Sequence, residues 1–422
     1  MARPLEEFEI KRPVRPDLPL FGNTAGTMPG GEESMKDSFL GYIRRTGQVG
    51  TRNYLAVIPT VFCANEVAAR IAGKFKNARA LLHHQGCAQL PPDVERVTRT
   101  LIALGTNPNV GSVLLVGLGC ESVSLPEVYR GIRERGQSVE KLNIQSAGGM
   151  NSAVRRGWAL AEKLDEKIQQ AARKPAPLSS LVMGIKCGSS DAYSGLASNP
   201  ATGAASDLLL DRGGTVLFGE TTEFLGAEHL LARRAVTPQV REKIVEIVQR
   251  MENRISVLGF DMRGGNPTPG NIRGGLTTIE EKSLGAICKS GTRPIDGVLE
   301  YGESATRPGL FVLDSPGQEA VIMTGLAAGG ANVIVFSTGG GAPQGYPLVP
   351  VIKVAGNPKK CREMQEHIDL DLSGILQGTQ TIARAGEEIF AAMGRVAGGR
   401  KAKAEALKYD QTVEIYTTGP TL

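Results

Sequence analysis

The chain has 422 residues, and its net charge of +5 is spread along the sequence without a basic block. Because only 5% of the residues are aromatic and no run of about 18 apolar residues occurs, we expect neither nucleic-acid binding nor a membrane span. The six cysteines form no small disulfide framework and the polar start, residues 1–7, is not a secretory signal, so we expect a cytoplasmic protein.

Glycine makes up 53 of the 422 residues, nearly double the usual share of about 7%. The glycines occur in short clusters, a pattern that is typical of many strand-to-helix turns. Residues 1–38 are rich in Pro and Gly and show no periodicity, which predicts an extended or disordered arm. Two α/β domains are predicted after it, a first over residues 39–175 and a larger second over residues 176–422.

Strands and helices alternate through the first predicted domain. Strands are predicted at 54–58, 78–82, 112–118 and 139–144, and helices at 65–75, 91–104, 126–135 and 149–172. Residues 112–118 form a continuous apolar run, as expected of a parallel strand that is buried on both faces. The alternation therefore predicts a doubly wound, mainly parallel sheet.

The second predicted domain follows a loop-like linker at 174–180 and repeats the alternation. Strands are predicted at 181–186, 215–218, 310–313 and 332–336. Helices are predicted at 200–212, around Glu228 and His229, and at 238–258, 277–286, 316–328 and 379–395. Residues 259–276 predict an irregular loop, and Thr277–Glu280 matches a capping box at the start of the next helix. The fold is thus predicted as α/β, with two Rossmann-like lobes.

Four cysteines follow the carboxyl ends of predicted strands within a few residues: Cys63, Cys87, Cys120 and Cys187. The carboxyl ends of parallel strands share one edge of a sheet, so residues distant in sequence can meet there. Core packing is the alternative for each of them, because free cysteine is often buried. Four thiols beside polar residues instead favour ligands of an iron–sulfur cluster, or of an iron ion shared with His and carboxylate. Cys288 and Cys361 lie in helical stretches and are expected to pack.

Polar side chains also cluster at the predicted strand ends of the second domain. Residues 185–194 lie between a strand end and a helix start, where ligands bind in open α/β sheets. Glu220 should lie at the same edge as Asp191, and a second nearby carboxylate would raise its pKa and suit it to acid–base catalysis. The Gly-rich segment 264–275 carries Arg273, which could bind a substrate carboxylate or be a solvated surface residue.

Longer motifs resemble signatures of the altronate and galactarate dehydratase family. They are Val49–Asn53, His83–Cys87, Gly117–Glu121, Cys187–Gly195, Gly226–His229, Pro269–Gly285 and Thr338–Gly341. The resemblance covers nearly everything from residue 40 to about 400. It implies metal-dependent, usually iron-dependent, removal of water from a sugar acid to give a 2-keto-3-deoxy acid. Related members are sulfolactate sulfo-lyases, which expel sulfite instead.

Dehydration of a sugar acid requires removal of the proton next to a carboxylate and expulsion of a hydroxyl, and a metal stabilises the charge that develops. We expect iron, as Fe²⁺ or an iron–sulfur cluster with Mn²⁺ as the alternative, on Cys63, Cys87 and Cys120, with Cys187 as a fourth or substitute ligand. The expected acid–base groups are Asp191, Glu220 and His229. The expected substrate-binding residues are His84, Ser190, Asn271, Arg273 and Lys282.

Single-chain members of this family begin with a small β-clip domain, for which residues 1–38 are too short. The chain therefore resembles the large subunit of a two-subunit enzyme whose small β-clip subunit is encoded separately, and a homo-oligomer is expected. The cysteines at 63, 87 and 120 favour a dehydratase. Two alternatives stay open, a C–S lyase subunit of the sulfolactate sulfo-lyase type and a non-catalytic subunit that binds sugar acids with its cysteines merely packed.

Overall fold

The computed structural model describes residues 38–422, which contain two parallel sheets and one small antiparallel sheet. The strands are β1 (Ser38–Ile43), β2 (Val49–Gly50), β3 (Tyr54–Pro59), β4 (Ala78–Ala80), β5 (Val110–Gly117), β6 (Val139–Asn143), β7 (Lys174–Pro177), β8 (Val182–Gly188), β9 (Thr215–Phe218), β10 (Gly297–Leu299), β11 (Gly309–Leu313), β12 (Val333–Thr338), β13 (Val351–Ala355) and β14 (Leu370–Asp371). The predicted α/β class is confirmed.

The helices separate most of the strands. They are α1 (Asn65–Ala72), α2 (Pro91–Gly105), α3 (Leu125–Glu134), α4 (Met150–Gln169), α5 (Asn199–Leu210), α6 (Glu228–Arg233), α7 (Pro238–Ser256), α8 (Met262–Gly265), α9 (Pro269–Arg273), α10 (Ile279–Ile287), α11 (Glu319–Ala328), α12 (Pro358–Glu363), α13 (Ile382–Ala397) and α14 (Lys403–Leu407). None of these helices is long and apolar enough to cross a membrane.

The first sheet has the strand order β4-β3-β5-β6 and is entirely parallel. Successive residues of a strand point to opposite faces, so the side chains of β3 pack into two hydrophobic cores, one on each face of the sheet. Leu55 and Val57 pack with α1 and α4, whereas Ala56 and Ile58 pack with α2 and α3. Because both faces are covered by helices, the central strands are apolar throughout, which is why their positions could be predicted.

The second sheet has the order β10-β11-β9-β8-β12-β13-β14 and is also parallel, with β8 at its centre. One face packs against α5, α7 and α13. The other face packs against α11, and the same core includes Leu101 of α2 from the first lobe together with Ile322 and Phe336 of the second. The two lobes therefore share a hydrophobic core.

Each parallel sheet has a point at which the strand order reverses. In the first sheet the chain leaves β3 toward β4 and later returns to the other side of β3 as β5; in the second it leaves β8 toward β9 and returns as β12. In open α/β sheets the crevice outside the carboxyl ends of the strands at such a point is the usual ligand site. Cys63 and Cys120 follow the strands that flank the first reversal, and Cys187 and Thr338 end the strands that flank the second.

The small antiparallel sheet has the order β2-β1-β7 and was not predicted. The expected linker 174–180 is wrong in part, because Lys174–Pro177 is strand β7. Pro175 and Pro177 are tolerated there because β7 is an edge strand, where missing N–H donors leave no partner unsatisfied. The predicted arm 1–38 lies outside the described residues apart from Ser38, and the division of domains at 175 stays a prediction.

A buried polar network joins the lobes beside the shared core. Asn332 donates from Nδ2 to the carbonyls of Val49 (3.0 Å) and Ser180 (3.1 Å), and its Oδ1 accepts the Val182 N–H (2.9 Å). Asn109 in turn donates to the Asn332 carbonyl (3.2 Å). Burying these groups is favourable only because each has a partner.

Two local predictions in the second lobe need correction. The segment 259–276 contains the short helices α8 and α9. The cap of α10 is Thr278, whose side chain accepts the Glu281 N–H, one residue later than the predicted box. Strands β10, β13 and β14 and helices α12 and α14 were not predicted at all.

Candidate active site

The three cysteines of the first lobe are surface residues at one sheet edge. Cys63 lies in a short turn after β3, Cys87 follows β4 and Cys120 follows β5, and all three are exposed free thiols. Core packing is therefore the wrong explanation for them. Cys361 is buried as expected, whereas Cys288 is exposed, because it lies in the turn that ends α10 and not inside the helix.

The loops that carry these thiols are hydrogen-bonded to one another. The Phe62 N–H donates to the Gln85 carbonyl (2.9 Å), and the Ser122 N–H donates to the Gly86 carbonyl (2.9 Å). The Thr60 hydroxyl completes the set by donating to Glu121 Oε1 (3.0 Å). These three loops therefore form one continuous surface, which we call the thiol edge.

A glycine with positive φ precedes two of the three cysteines. Gly86 has φ 106° and Gly119 has φ 130°, a region that side chains rarely adopt. An added Cβ on Gly86 would approach the Thr60 carbonyl oxygen to 2.3 Å, and one on Gly119 would approach Gln145 Oε1 to 2.2 Å. The loop conformations before Cys87 and Cys120 thus require glycine.

The adjacent histidines differ in environment. His84, predicted to bind substrate, is exposed, and its Nε2 lies 2.7 Å from Gln85 Nε2. His83 is buried, with Nε2 2.7 Å from the Pro59 carbonyl and Nδ1 accepting the Gln85 N–H at 3.2 Å. Burial lowers the pKa of His83 to about 4. His83 is therefore a neutral structural residue.

The spacing of the three sulfur atoms decides which kind of metal group the thiol edge can hold. Within the described residues, the three sulfur atoms do not all lie within 4.8 Å of one another, so they do not converge on a single ion. Three exposed soft ligands on contiguous loops instead suit an iron–sulfur group, which is held by thiolates and contributes bridging sulfides of its own.

A second group of side chains is buried at the carboxyl edge of β8 and β9. Lys186 forms an ion pair with Glu220, and its Nζ also donates to the Gly317 carbonyl (3.2 Å). The Cys187 N–H donates to Glu220 Oε2 (2.9 Å). Glu220 has φ 73° and ψ 57°, a left-handed conformation that costs energy in a non-glycine residue and is found preferentially at functional sites.

Glu223 extends this group toward α10. Its Oε1 lies 3.2 Å from Lys282 Nζ, and its Oε2 lies 4.0 Å from Lys289 Nζ. We call the whole set the lysine–glutamate cluster, and its members are Lys186, Glu220, Glu223, Lys282 and Lys289. No side chain of the cluster is more than 12% exposed.

The environment separates the two glutamates by pKa. Burial raises the pKa of Glu220 to about 7, although Lys186 opposes the shift. Burial would also raise the pKa of Glu223, but the three lysines of the cluster outweigh it and lower the value to about 2. Pairs of carboxyl groups held at different pKa values are characteristic of acid–base sites.

Cys187 belongs to the second lobe and not to the thiol edge. Its sulfur lies 3.3 Å from the Ser190 hydroxyl and within 4.8 Å of ligand atoms of Glu220 and Glu223. Burial raises the pKa of the Cys187 thiol to about 11, which keeps it protonated at neutral pH. The structure places Cys187 in this cluster and not on the loops of the thiol edge, and its expected role as a fourth or substitute metal ligand stays a prediction.

Of the three expected acid–base groups, the structure brings only Glu220 into the cluster. Asp191 is buried, but its Oδ1 accepts the Ser194 N–H (2.7 Å) and its Oδ2 accepts Asn357 Nδ2 (2.9 Å), so it holds its loop in place. His229 is exposed on α6 and makes no hydrogen bond within the described residues.

Residues 266–275 cover the cluster. Asn266 Oδ1 accepts Lys282 Nζ (2.9 Å), Asn271 Nδ2 donates to the Ser190 carbonyl (2.9 Å), and the Ala192 N–H donates to the Gly274 carbonyl (3.0 Å). Three of the predicted substrate-binding residues, Ser190, Asn271 and Lys282, therefore meet here. Arg273 does not join them, because its residue is exposed at the end of α9.

Lys186, Glu223 and Lys289 were not predicted as site residues. Lys186 carried a usable signal, since a lysine inside the apolar run of β8 must find a partner when it is buried. Glu223 carried no such signal, because a glutamate in a turn after a strand is ordinarily solvated. It is in fact part of the buried cluster, because the turn after β9 directs it inward. No local signal marked Lys289, which follows an ordinary helix.

The thiol edge and the lysine–glutamate cluster are linked by the C-terminal segment 413–419. Gln318, next to the Gly317 carbonyl that Lys186 contacts, donates to Glu414 Oε2 (2.5 Å). Gln85, at the thiol edge, donates to the Ile415 carbonyl (3.3 Å). The carboxyl edges of both sheets therefore face the same segment.

A large cavity of about 1190 Å³ lies elsewhere, at the amino ends of β5 and β6. Basic residues in its lining are Arg44, Arg45, Arg99, Arg135 and Lys167. Arg44 and Arg99 are already bonded to backbone carbonyls. None of the predicted site residues lines this cavity.

Comparison with known proteins gives a consistent result. The family profile described as "D-galactarate/Altronate dehydratase, C-terminal" matches residues 178–421, and the one described as "D-galactarate dehydratase/Altronate hydrolase, second domain" matches residues 41–169. The (2R)-sulfolactate sulfo-lyase subunit beta of Chromohalobacter salexigens is 40% identical over 385 residues, which covers 89% of this chain and 96% of the relative.

Two dehydratases are also similar. The galactarate dehydratase (L-threo-forming) of Escherichia coli is 35% identical, with 86% of this chain and 73% of the relative covered. The altronate dehydratase of Bacillus subtilis is 32% identical, with 91% of this chain and 78% of the relative covered. By their names these relatives are all lyases. The resemblance inferred from the motifs is confirmed, and the chain belongs to the D-galactarate/altronate dehydratase family of lyases.

Proposed function

We propose that this chain is the catalytic large subunit of a lyase that removes water from a sugar acid and yields a 2-keto-3-deoxy acid. The observation that carries the proposal is Glu220, a buried carboxyl with a pKa near neutrality that is paired with Lys186 and has a strained backbone conformation at the carboxyl edge of a parallel sheet. A general base works best when its pKa lies near the operating pH.

In the proposed reaction Glu220 accepts the proton from the carbon next to the substrate carboxylate. The Lys186 ammonium is in contact with Glu220 and stabilises the ionised carboxylate before the transfer. The hydroxyl on the neighbouring carbon takes up the proton that Glu220 removed and leaves as water, and the resulting enol becomes the 2-keto acid. The cover formed by residues 266–275 excludes bulk water, which strengthens these electrostatic interactions.

The three thiols of the thiol edge are the residues that would hold an iron–sulfur group, whereas a single Fe²⁺ or Mn²⁺ does not fit them, because within the described residues their sulfur atoms do not all lie within 4.8 Å of one another. Such a group supplies a Lewis acid for the leaving hydroxyl when bound. The chain's own contribution is the glycine-dependent loop geometry before Cys87 and Cys120, which presents both thiols to solvent.

The test is anaerobic purification, followed by analysis of iron and acid-labile sulfide and an assay for 2-keto-3-deoxy products on a panel of sugar acids. We expect Cys120→Ala to lose both iron and turnover, because a thiolate ligand is removed. Cys288→Ala is the matched control, since Cys288 is also classed as exposed but lies outside the thiol edge. An iron-replete, active Cys120→Ala enzyme would contradict the assignment.

A C–S lyase acting on sulfolactate is the second candidate. It is supported by one specific observation, since the chain covers 96% of the sulfo-lyase beta subunit but 73% and 78% of the two dehydratases. The name of that relative also supports a separately encoded partner subunit. Sulfite release from (2R)-sulfolactate by the same preparation, with no product from sugar acids, would decide for this candidate.

A further inference from the structure

The lysine–glutamate cluster carries more positive than negative charge. It holds three lysines against two glutamates, and no side chain in it is more than 12% exposed. Buried ionised groups are stable only when each is paired and hydrogen-bonded. One lysine ammonium of the cluster is therefore not balanced by a carboxylate of the cluster.

Lys289 is that ammonium. Its residue is 3% exposed, its Nζ has no hydrogen-bond partner within the described residues, and its nearest carboxylate oxygen is that of Glu223 at 4.0 Å. Glu223 Oε2 itself also lacks a hydrogen-bond partner. Burial would lower the pKa of Lys289, but the two glutamates beside it help to raise the pKa above its ordinary value, so the group stays charged.

A cation is a poor occupant of this space. Cys187, Glu220 and Glu223 offer ligand atoms within 4.8 Å of one another, which is a spacing that suits a metal ion. Both carboxylates are already in ion pairs with lysines, however, and an added cation would face three ammonium groups at short range. An anion instead satisfies the unpaired charge.

A ligand would reach the lysine–glutamate cluster from the side that residues 266–275 cover. Glu223 and Lys282 are the most exposed members of the cluster, at 12% and 8%, and Lys282 is tied to Asn266 in that covering segment. The segment is held to the loop after β8 by single hydrogen bonds from Asn271 and to Gly274. Lys282 is therefore the outer lysine of the pair, with a side chain 8% exposed against 4% for Lys289.

We propose that the lysine–glutamate cluster is a carboxylate-binding site in which Lys289 and Lys282 bind the carboxylate of a 2-hydroxy acid and Glu223 holds both lysines in position. This inference deepens the proposed function and rests on it, because the bound carboxylate is the one next to the proton that Glu220 removes. The glutamate carboxyls lie within 4.8 Å of each other, so a carboxylate held beside Glu223 brings its neighbouring carbon close to Glu220.

The test uses Lys289→Met, which keeps the length of the side chain and removes its charge. The probes are D- and L-tartrate and D- and L-malate, whose binding to the complete chain is measured by calorimetry without any need for turnover. We expect at least one probe to bind the unmodified protein and to bind Lys289→Met roughly tenfold more weakly or worse, the loss of one charge-assisted hydrogen bond. The variant should still fold, because Lys289 Nζ makes no hydrogen bond within the described residues and its nearest carboxylate oxygen is 4.0 Å away.

Lys359→Met is the control, since the Lys359 side chain is 74% exposed and its nearest carboxylate lies 3.7 Å away. If Lys289→Met does not fold, Lys289→Gln replaces it. Equal probe affinity in the wild type and the folded variant, or no binding of any probe to the wild type, would overturn the site. Tight binding of Mn²⁺ that depends on Glu223 and competes with the probes would overturn it as well.

Failure of the site and failure of the proposed function are distinguishable. Turnover of a sugar acid with an unchanged KM in Lys289→Met would overturn the site and leave the function standing. If tartrate or malate binds in a Lys289-dependent way but the protein turns over no sugar acid, the carboxylate site is supported and the proposed dehydratase activity is contradicted. A KM raised roughly tenfold by Lys289→Met, with a smaller change in kcat, supports both.

Discussion

His83 and His84 occupy adjacent positions with different protonation behaviour. His84 is exposed, whereas His83 is enclosed between the Pro59 carbonyl and the Gln85 N–H. The pKa of His83 is about 4 in the folded chain, against an ordinary 6.5. The unfolded chain thus binds more protons between these pH values, so the stabilisation is complete above pH 6.5 and is lost as the pH falls toward 4.

We therefore expect the unfolding free energy of His83→Gln to depend less on pH, between pH 7 and pH 5, than that of the wild type. Between pH 7 and pH 5 the wild type should lose about 2 kcal/mol of unfolding free energy that the variant does not lose, from the shift of one buried histidine. Urea unfolding at pH 7 and pH 5 measures this change in unfolding free energy for the wild type and for the variant. His84→Gln is the control, and the explanation fails if its curve changes as much as that of His83→Gln.

The location of a candidate site residue could be predicted where a reactive residue type directly follows an apolar strand. Cys63, Cys87 and Cys120 are recognisable because thiols just after apolar strands are uncommon in combination, and all three lie where expected. Glu220 was found by the same reasoning. Lys289 was missed because a lysine after a helix ordinarily faces water, and only the packing of that helix against the β9 loop buries it.

At the level of elements, the C-terminal segment 413–419 depends on one carboxylate of α2. Asp93 is 3% exposed, its Oδ1 accepts the Thr418 N–H (3.0 Å) and its Oδ2 accepts the Gly419 N–H (2.7 Å). Arg96 pairs with the same carboxylate at 2.6 Å. Asp93 therefore attaches the last two residues of the segment, whereas Val413 and Ile415 are buried in the shared core.

Asp93→Ala should release Thr418 and Gly419 while the sheets stay folded. Hydrogen bonds to a charged acceptor contribute about 1.5–3 kcal/mol each, so the amides of Thr418 and Gly419 should exchange with solvent faster by roughly one or two orders of magnitude. Hydrogen exchange measured on peptides from this region checks the expectation. Glu95→Ala on the same helix is the control, because the Glu95 side chain is 79% exposed; equal exchange in the two variants would refute it.

Elements were predictable in proportion to their burial. The central strands β3, β5 and β8 were located from continuous apolar runs, which both faces of a parallel sheet impose. Edge elements gave no such pattern: β7 contains two prolines and β14 has two residues. The short helices α8 and α9 escaped prediction because their glycine content opposes helix formation and their caps act locally.

The whole molecule is held together by the shared core and by the Asn332 network, so we expect its two lobes to unfold in one transition. Trp158 is the single tryptophan and lies in α4 of the first lobe, whereas helices of both lobes contribute to far-UV circular dichroism. The urea transitions followed by tryptophan fluorescence and by circular dichroism should therefore coincide in the wild type.

Asn332→Leu removes the partners of three buried backbone groups that lie on separate strands and turns. Each group left unpaired costs about 1–3 kcal/mol, so the variant should lose about 3 kcal/mol or more, and its two transitions should separate. Asn253→Ala, at an exposed position of α7, should change neither. Coincident transitions in Asn332→Leu would mean that the apolar core alone couples the lobes.

The attachment of residues 413–419 across both sheet edges has a consequence for biosynthesis. The ribosome completes the first sheet, with Cys63, Cys87 and Cys120 in place, well before it makes the segment that binds Gln85 and Asp93. During that interval the thiols are already assembled on their loops but the neighbouring surface is still open. The thiol-bearing loops can therefore form before the C-terminal segment exists, and its docking later adds contacts to Gln85 and Asp93 while the three thiols stay exposed.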